Sequence, residues 1–292
     1  MLEPLKKILM ERFPRLPDLH AAVVRGCSHA VDSYYAHRPF PPMRARQTPF
    51  GFKLAGGNSL HHRAMQEGRF ETGEVALMQR LLSPADVFVD VGANIGFYAC
   101  MARQAGKRVV AVEPQAGNLR YLYSNLRVNG WEDTEVFPVG LGSASGLVTL
   151  YGSSSTGASL IPGWAGAPRW GRRVIPVTTL DTLLGNRFRG RKLLVKIDVE
   201  GVEYDVLKGA GAVLAYEPKP VWLVEICLKE HHPGGSNPRY EDTFRIFWER
   251  GYRASTAEKE PRPVTPEEVV DSVRAGSTRS GIINYIFTPA EP

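Results

Sequence analysis

Asp90 and Glu113 are the two residues of this sequence whose types and spacing point most directly to chemistry. Asp90 lies in the apolar run VFVDV and is followed by Gly92 and Gly96, which permit a tight turn and a close approach of the backbone. Glu113 ends a second apolar run, RVVAV, about 20 residues beyond Gly92, where an acid accepts hydrogen bonds from both hydroxyls of a ribose. The pair predicts a cofactor that contains a nucleoside.

The turn after Asp90 lacks the features of a phosphate-binding turn. A dinucleotide fingerprint would have glycines at 92, 94 and 97, where this sequence has Gly92, Asn94 and Phe97. Neither GKS nor GKT follows, so the P-loop pattern is absent too. The carboxylate of Asp90 is unfavourable beside a pyrophosphate but suits an ammonium group. An ammonium group and a ribose without a phosphate describe S-adenosylmethionine, which we expect as the cofactor. The structural alternatives are a helix-start charge for Asp90 and a solvated strand end for Glu113.

The segment LLVKIDVEG offers groups that could act on a methyl acceptor. Lys196 and Asp198 share one face of a strand because side chains alternate, and Glu200 joins them if the extended conformation continues. An unpaired lysine is costly to bury in an apolar strand. One interpretation is an ion-paired Lys196 with Asp198 and Glu200 as its partners. The other places Asp198 at the junction of cofactor and acceptor, with Lys196 or Glu200 orienting or deprotonating the acceptor.

The next strand, WLVEICL, contributes a further candidate acid. Glu225 is predicted to face the same rim of the sheet, where it would contact the acceptor or pair with Lys196. The loop that follows carries His231 and His232, which are candidate general bases. A histidine pair in a loop is more typical of solvated side chains, and both interpretations stay open.

A metal site at the end of the LLVKIDVEG strand is a weaker hypothesis. Asp198, Glu200 and Glu203 are side chains of the type that binds magnesium. Glu203 begins the next predicted helix, however, and the charge of a helix start explains an acid there more simply. The sequence also has no cysteine and histidine spacing typical of zinc. We therefore predict no metal.

A sheet must position these residues, because apolar strands alternate with amphipathic helices along most of the sequence. The predicted helices cover 71–83, 96–105, 117–130, 203–216 and 240–251. The predicted strands cover 86–91, 108–114, 134–141, 146–152, 173–181, 192–201, 220–228, 252–256 and 281–287. This alternation predicts an α/β fold with a doubly wound, mainly parallel sheet. The last two strands are predicted to form an antiparallel edge hairpin. In such sheets, ligands bind at the carboxyl ends of the strands near the topological switch.

Composition limits the function classes. The chain has 292 residues, of which 43% are hydrophobic, enough for one sizeable core. Its net charge of +6 allows an anionic substrate or surface without requiring one. The basic clusters RWGRR and RFRGRK are typical of solvated loops, and no aromatic-interleaved module accompanies them, so nucleic acid is not an expected partner.

The N-terminal part differs in character from the rest. Residues 1 to about 36 have the pattern of amphipathic helices broken at Pro14 and Pro17, and a Pro-rich connector follows. No apolar run is long enough to span a bilayer, and no secretory signal is expected. The three cysteines, Cys27, Cys100 and Cys227, are far apart, which predicts buried, reduced thiols in a cytoplasmic protein.

Four segments together resemble the FkbM family of S-adenosylmethionine-dependent methyltransferases: VDVGANIGFYA, AVEPQAGNLRYLYSNLRVNG, VTTLDTLL and LLVKIDVEGVEYDVLKGA. The combination of VDVGANIG with KIDVEGVE is specific to that family, whereas VDVGANIG alone indicates only the class I methyltransferase fold. The resemblance covers about 71–228 and, more loosely, the terminal INYIF. It implies a Rossmann-like methyltransferase domain over 71–292, with 1–70 as an N-terminal helical extension and connector. It also implies O-methylation of a hydroxyl on a small molecule, sugar or glycan.

The resemblance also implies roles for individual residues. Those matching the family's cofactor site are Asp90, Gly92, Ala93, Asn94, Gly96, Glu113, Pro114, Asn118, Val139, Gly140, Leu141 and Asp198. Among these, Asn118 would reach the cofactor from the next helix, and Gly140 and Leu141 lie where adenine packs. Asn125 also matches the family but is expected to be structural. Ser159 and Leu160 match an SL element that would cover the acceptor pocket as a mobile loop.

Two other functions remain as alternatives. An NAD-linked oxidoreductase would use the same fold, although the missing fingerprint glycines argue against it. A non-catalytic module with a degenerate methyltransferase fold would not need the cofactor residues, which are intact. The expected partner is a hydroxyl acceptor, membrane contact is not expected, and the N-terminal helices are candidates for a contact between subunits.

Overall fold

The computed structural model describes residues 44–57, 60–152, 157–166, 172–278 and 281–290. The predicted N-terminal helices, and with them Cys27 and the predicted subunit contact, lie outside these residues. Cys100 and Cys227 lie within them, and both are buried as free cysteines.

The elements of the described residues are named in chain order. The strands are β1 Ala45–Gln47, β2 Lys53–Ala55, β3 Val87–Val91, β4 Arg108–Val112, β5 Glu135–Phe137, β6 Gly140–Leu141, β7 Gly146–Leu150, β8 Arg173–Thr178, β9 Leu193–Ile197, β10 Val221–Glu225, β11 Tyr252–Thr256, β12 Pro263–Val264 and β13 Asn284–Pro289. The helices are α1 Leu60–Glu67, α2 Thr72–Leu82, α3 Phe97–Gln104, α4 Ala116–Val128, α5 Leu180–Leu184, α6 Glu203–Lys208, α7 Gly211–Leu214, α8 Tyr240–Trp248 and α9 Pro266–Ala275.

The central sheet has the strand order β12-β11-β13-β10-β9-β3-β4-β5. The strands from β5 through β4, β3 and β9 to β10 are parallel to their neighbours. The chain runs outward from β3 to β5, returns to β9 on the other side of β3, and continues to β10. The topological switch therefore lies between β3 and β9, which is where such sheets bind ligands. This architecture confirms the predicted doubly wound, mainly parallel α/β fold.

The alternation of side chains along the central strands divides the core in two. Val87, Val89 and Val91 pack on one face together with residues of α5, α6 and α8. Phe88 packs on the other face with residues of α2, α3 and α4. Asp90 of β3 is the register partner of Lys196 in β9, and alternation puts both on this second face. Asp90 and Lys196 therefore lie on the face of the sheet that α2 and α3 cover.

The β1–β2 hairpin packs against the same part of the core as Phe88. Phe52, in the hairpin of β1 and β2, is buried in the second cluster. The fully buried Asn125 side chain fixes the hairpin, because it accepts from the Ala55 N–H at 2.6 Å and donates to the Ala55 and Ile95 carbonyls at 3.0 and 2.8 Å. These contacts agree with the structural role expected for Asn125. The division of the chain at residue 70 stays a prediction.

Two predicted elements are divided in the structure. The strand expected over 134–141 is interrupted at Pro138, which has no N–H to donate, and its second part, β6, pairs with β8 in a separate sheet of order β6-β8-β7. The helix expected over 203–216 is interrupted because the Gly209 carbonyl accepts from the Asp181 N–H, outside the helix. The Asp181 carboxylate then caps α7 by accepting from the N–H groups of Ala212 and Val213.

The end of the chain differs from the predicted edge hairpin in its placement. β11 and β13 are antiparallel as expected, but β13 lies between β10 and β11 and pairs with both. The edge position on that side belongs to β12. β7 and β8, within the predicted strands 146–152 and 173–181, pair with each other in antiparallel orientation.

Candidate functional site

A cavity of about 670 Å³ opens at the carboxyl ends of the central strands, next to the switch between β3 and β9. Its size falls in the range of pockets that hold small-molecule ligands. The predicted site residues that line it are Asp90, Gly92, Ala93, Asn94, Glu113, Pro114, Asn118, Val139, Gly140, Leu141, Lys196, Asp198, Glu200, Glu225 and His231. Gly96, Glu203 and His232 are not among its lining residues.

Gly92 begins the turn from β3 to α3 in a left-handed conformation, with φ of 86°. A Cβ atom at this position would lie 1.8 Å from the Asp198 carbonyl oxygen, so only glycine fits. The Asp198 N–H in turn donates to the Val91 carbonyl at 3.0 Å. The cofactor turn and the end of β9 are therefore in direct backbone contact.

Asp90 is 2% exposed and lines the cavity. It accepts a hydrogen bond from the Ala99 N–H, but its Oδ2 atom is buried with no hydrogen-bond partner among the described residues. Burial raises the pKa of this carboxyl to about 7, against the lowering effect of Lys196. A buried carboxylate oxygen without a partner fits a ligand that brings a cationic donor, such as an ammonium group.

Glu113 is held firmly at the end of β4. One carboxylate oxygen accepts from the Asn94 N–H and the other from the Gln115 N–H, both at 2.8 Å, and Asn118 also hydrogen-bonds to this side chain. Burial raises the Glu113 pKa to about 7 despite these bonds. A carboxylate has four lone pairs and these three bonds use three of them, so the Glu113 carboxylate retains capacity to accept one further hydrogen bond from a ribose hydroxyl.

Lys196 is 3% exposed and is bound by acids, as the ion-pair interpretation predicts. Its Nζ lies 2.7 Å from Asp198 Oδ2, 3.9 Å from Glu74 Oε1 and 5.0 Å from the centre of the Tyr98 ring. Burial alone would lower the Lys196 pKa, but the Asp198 and Glu74 carboxylates outweigh it and hold the pKa well above its usual range. Lys196 is therefore a charged group and cannot accept a proton from an acceptor.

Glu200 corrects one expectation, because it is not a partner of Lys196. The extended conformation ends before it: Glu200 has φ of 58°, in the left-handed region. Its carboxylate accepts from Trp164 Nε1 at 2.7 Å and from the Gly157 N–H at 2.9 Å. The side chain thus turns toward residues 157–166, and both of its oxygens are engaged.

Glu225 lines the cavity at the end of β10, as expected. Burial, followed by the nearby Asp198 charge, raises its pKa well above the usual range. The Cys227 thiol lies 3.5 Å from Glu225 Oε1. A raised pKa favours the protonated form of this carboxyl, which can donate a hydrogen bond.

Glu203 and His232 lie outside the cavity lining, whereas His231 is part of it. Glu203 accepts from the Gly201 and Val199 N–H groups at 2.9 and 3.3 Å, which accounts for an acid at the start of α6. Within the described residues, no group of three or more His, Cys, Asp or Glu side chains is arranged to hold a metal ion. His231 reaches the cavity, whereas His232 packs against Trp164.

The sequence did not reveal Glu71 and Tyr98 as site residues. Both line the cavity, and the Tyr98 hydroxyl donates to Glu71 Oε2 at 2.9 Å. Partial removal from water, together with repulsion by the Glu74 carboxylate, raises the Glu71 pKa to about 7. The sequence predicts a helix over 71–83 but does not show which residues it contacts. Glu71, the first residue of that range, reaches the cavity because α2 covers the face of β3 and β9 that carries the charged residues.

The comparison with protein families agrees with this geometry. The model described as the methyltransferase FkbM domain matches residues 90–254, more than half of the chain. The chain belongs to the FkbM methyltransferase family. The methyl donor of this family is S-adenosylmethionine, and the residues that surround the unpaired Asp90 oxygen and Glu113 fit it. The NAD-linked alternative is not favoured.

Several solved methyltransferase structures are similar to the FkbM chain. A precorrin-6y C5,15-methyltransferase from Geobacter metallireducens is 9% identical, covers 81% of this chain and 93% of its own, and has a TM-score of 0.42. The O-methyltransferase TomG from Streptomyces achromogenes, in complex with SAM, is 13% identical over 82% of this chain and 92% of its own, with a TM-score of 0.42. An O-methyltransferase from Bacillus cereus, in complex with SAH, is 13% identical over 74% and 79%, with a TM-score of 0.37. No curated protein matches the sequence.

None of the helices in the described part of the chain is long and apolar enough to cross a membrane. The family assignment depends on the match over 90–254 and not on these remote structural likenesses.

Proposed function

We propose that this FkbM methyltransferase methylates a hydroxyl group on a small molecule, sugar or glycan. The observation that carries the proposal is the position of the Lys196–Asp198 pair, at the carboxyl end of β9 and in backbone contact with the Gly92 turn. Asp198 keeps 32% of its side chain exposed toward the cavity, so it remains accessible to a ligand. A group in this place touches both the methyl donor and the acceptor.

The cofactor-binding half of the cavity would use the residues implied by the family. Asp90 would receive the ammonium group, while the backbone of Gly92, Ala93 and Asn94 would surround the methionine part. Glu113 and Pro114 would hold the ribose, with Asn118 beside them. Gly140 and Leu141 would contact the adenine. When bound, S-adenosylmethionine supplies an electrophilic methyl group.

The acceptor half would use the carboxyls on the other side of Asp198. Asp198, fixed by Lys196, would orient the acceptor hydroxyl toward the methyl group. Glu225, whose protonated form is favoured by burial, would donate a hydrogen bond to another acceptor oxygen. Such donors and acceptors in one cavity suit a polyhydroxylated ligand.

Removal of the acceptor proton is best explained by Glu71. Among the other cavity carboxyls, Asp198 is bound to Lys196, and both Glu200 oxygens are engaged. Glu71 has a pKa of about 7, receives one hydrogen bond from Tyr98, and is exposed enough to pass its proton to water. General bases work best when the pKa is near the working pH.

The test is methyl transfer from isotope-labelled S-adenosylmethionine into a metabolite extract, followed by mass spectrometry of the labelled products. We expect the label on oxygen, and we expect Asp198→Asn to reduce turnover more than the affinity for S-adenosylhomocysteine. A label on nitrogen or carbon would exclude O-methylation. Absence of S-adenosylhomocysteine binding by folded protein in calorimetry would remove the cofactor assignment.

A further inference from the structure

Residues 157–166 form one wall of the cavity. Gly157, Ala158 and Leu160 line it near one end of the segment, and Ala165 lines it near the other. Ala158 and Leu160 also pack on a small apolar cluster around Leu150 and two residues of β8. The wall thus extends from the side of β6, near Gly140, to the end of β9.

The attachment of this wall at β9 is made by Glu200. Its two carboxylate oxygens accept from Trp164 Nε1 and from the Gly157 N–H, which lie at opposite ends of the segment. Its carbonyl oxygen accepts from the Ser159 hydroxyl at 2.5 Å, and the same hydroxyl accepts from the Ile161 N–H at 3.0 Å. One residue therefore holds the wall at several points.

Packing fixes the same arrangement. Trp164 is fully buried, and a Cβ at Gly201 would lie 2.3 Å from the Trp164 ring. Gly201 has φ of 97°, which favours glycine, so the backbone after Glu200 is shaped to receive the indole. On the opposite side, the Ala165 N–H donates to the His231 carbonyl at 2.9 Å.

We infer that Glu200 is a positioning residue, which fixes residues 157–166 as a wall over the cofactor cavity through Trp164 and Gly157. Each of its oxygens accepts one hydrogen bond from the wall, and we assign it to positioning rather than to proton transfer. The effect of this wall on cofactor binding rests on the proposed function.

The geometry also connects the wall to the cofactor turn. Glu200 follows Asp198 by two residues, and the Asp198 carbonyl is the atom that closely approaches Gly92. A ligand that orders the Gly92 turn therefore stabilises the end of β9, and with it the points to which the wall is attached. Linkage then requires that loosening the wall weakens ligand binding.

The experiment measures hydrogen exchange of the full chain by mass spectrometry, with and without S-adenosylhomocysteine, in Glu200→Gln and Trp164→Phe variants. The glutamine replaces one acceptor oxygen with an NH₂ group that faces an N–H donor. We expect exchange within 157–166 to rise about tenfold or more without ligand, because hydrogen bonds to charged groups are worth about that factor. Trp164→Phe removes one donor and also the part of the indole that packs against Gly201, so exchange should rise in this variant as well. Glu132→Gln, at an exposed residue outside the cavity lining, is the matched control.

Kinetics of S-adenosylhomocysteine binding supply the readout that distinguishes positioning from general stability. In Glu200→Gln we expect the dissociation rate to rise about tenfold while the association rate and the unfolding midpoint change little. Exchange in Glu200→Gln within about twofold of the wild type would overturn the attachment. Faster exchange with an unchanged dissociation rate would overturn the positioning role. If the wild type does not bind S-adenosylhomocysteine, the proposed function fails, while the exchange without ligand still decides the role of Glu200.

Discussion

Burial of Asp90 links cofactor binding to pH at the scale of a single residue. Its carboxyl is surrounded by protein, and its pKa is about 7, so near neutral pH the free protein holds this group in both protonation states. A cation placed beside the carboxyl favours the charged form and lowers the pKa. Binding of a ligand with an ammonium group must therefore release a proton from this site.

We predict that S-adenosylhomocysteine binds more weakly as the pH falls from about 7 to about 6, because Asp90 becomes protonated. Calorimetry in buffers with different ionisation enthalpies should show proton release near neutral pH. Asp90→Asn should abolish the part of this release that comes from Asp90 and weaken binding by about tenfold or more. An affinity for this ligand that is independent of pH across this range would contradict the role of Asp90.

Glu71 should make the rate of methyl transfer depend on pH. Because its pKa is about 7, methyl transfer should slow as the pH falls below that value. Glu71→Gln should lower the turnover rate by about 10²–10⁴ and remove this pH dependence, with little change in S-adenosylhomocysteine affinity.

Tyr98→Phe provides the matched control for Glu71. The Tyr98 hydroxyl lowers the Glu71 pKa through its hydrogen bond, so its loss should move the pH dependence of turnover to higher pH. A Glu71→Gln variant with the wild-type pH profile would exclude Glu71 as the base.

Residue types and spacing were enough to bring Asp90 and Glu113 to one cavity. Asp90 lies near the end of β3 and Glu113 follows β4, and parallel strands bring their carboxyl ends together, so sequence spacing was sufficient. Glu71 reaches the cavity, and Trp164 reaches Glu200, through contacts between distant segments, for which no periodic pattern exists. Glu200 was misjudged because its left-handed conformation ends the alternation on which the prediction depended.

At the scale of elements, the turn between β3 and α3 depends on backbone approach. Gly92→Ala would place a Cβ 1.8 Å from the Asp198 carbonyl and impose a positive φ on alanine. We expect a loss of about 2 kcal/mol or more in the free energy of unfolding, together with loss of S-adenosylhomocysteine binding.

Gly73→Ala is a control for the Gly92 substitution. Gly73 lies in the first turn of α2, and its Cβ would have no atom within 4 Å. Alanine there should leave the protein as stable as the wild type or more stable by up to about 1 kcal/mol. Urea unfolding measures both variants, and equal midpoints would show that the close approach at Gly92 does not constrain the turn.

Most elements of the central sheet were predictable because apolar runs of strand length alternate with helical patterns, whereas the β1–β2 hairpin and the helices α1, α5 and α9 were not predicted. The exceptions have local causes. Pro138 interrupts the strand pattern that continues on both sides of it, and the tertiary contact of Asp181 with Gly209 interrupts a continuous helical pattern. The insertion of β13 between β10 and β11 could not be inferred, because strand order is not encoded in local periodicity.

At the scale of the whole molecule, buried carboxyls make stability depend on pH. Burial, the main cause in each case, raises the pKa of Glu71, Asp90, Glu113 and Glu203 to about 7. In the unfolded chain the pKa values of such groups are about 4. The folded protein therefore binds more protons between these values, and the associated stability is lost as the pH rises through about 7.

We predict a lower melting temperature at about pH 8 than at about pH 6.5 for the ligand-free protein. The difference should be several degrees, since about 1 kcal/mol corresponds to about 2–4 °C in a chain of this size. Asp90→Asn should reduce the difference, because its side chain does not titrate. Differential scanning calorimetry at constant ionic strength measures this difference in melting temperature. A melting temperature that rises toward pH 8 would contradict the assignment of these pKa values.

The position of β13 has a consequence for synthesis on the ribosome. Both β10 and β11 leave the exit tunnel before β13, yet β13 separates them in the finished sheet. A nascent chain that ends before Asn284 therefore has two strands with open hydrogen-bonding edges and no partner to join them. Such edges invite pairing with other chains. Translation of the segment around Phe287, which pairs with Trp222 on one side and Ala254 on the other, is thus the step that closes the sheet.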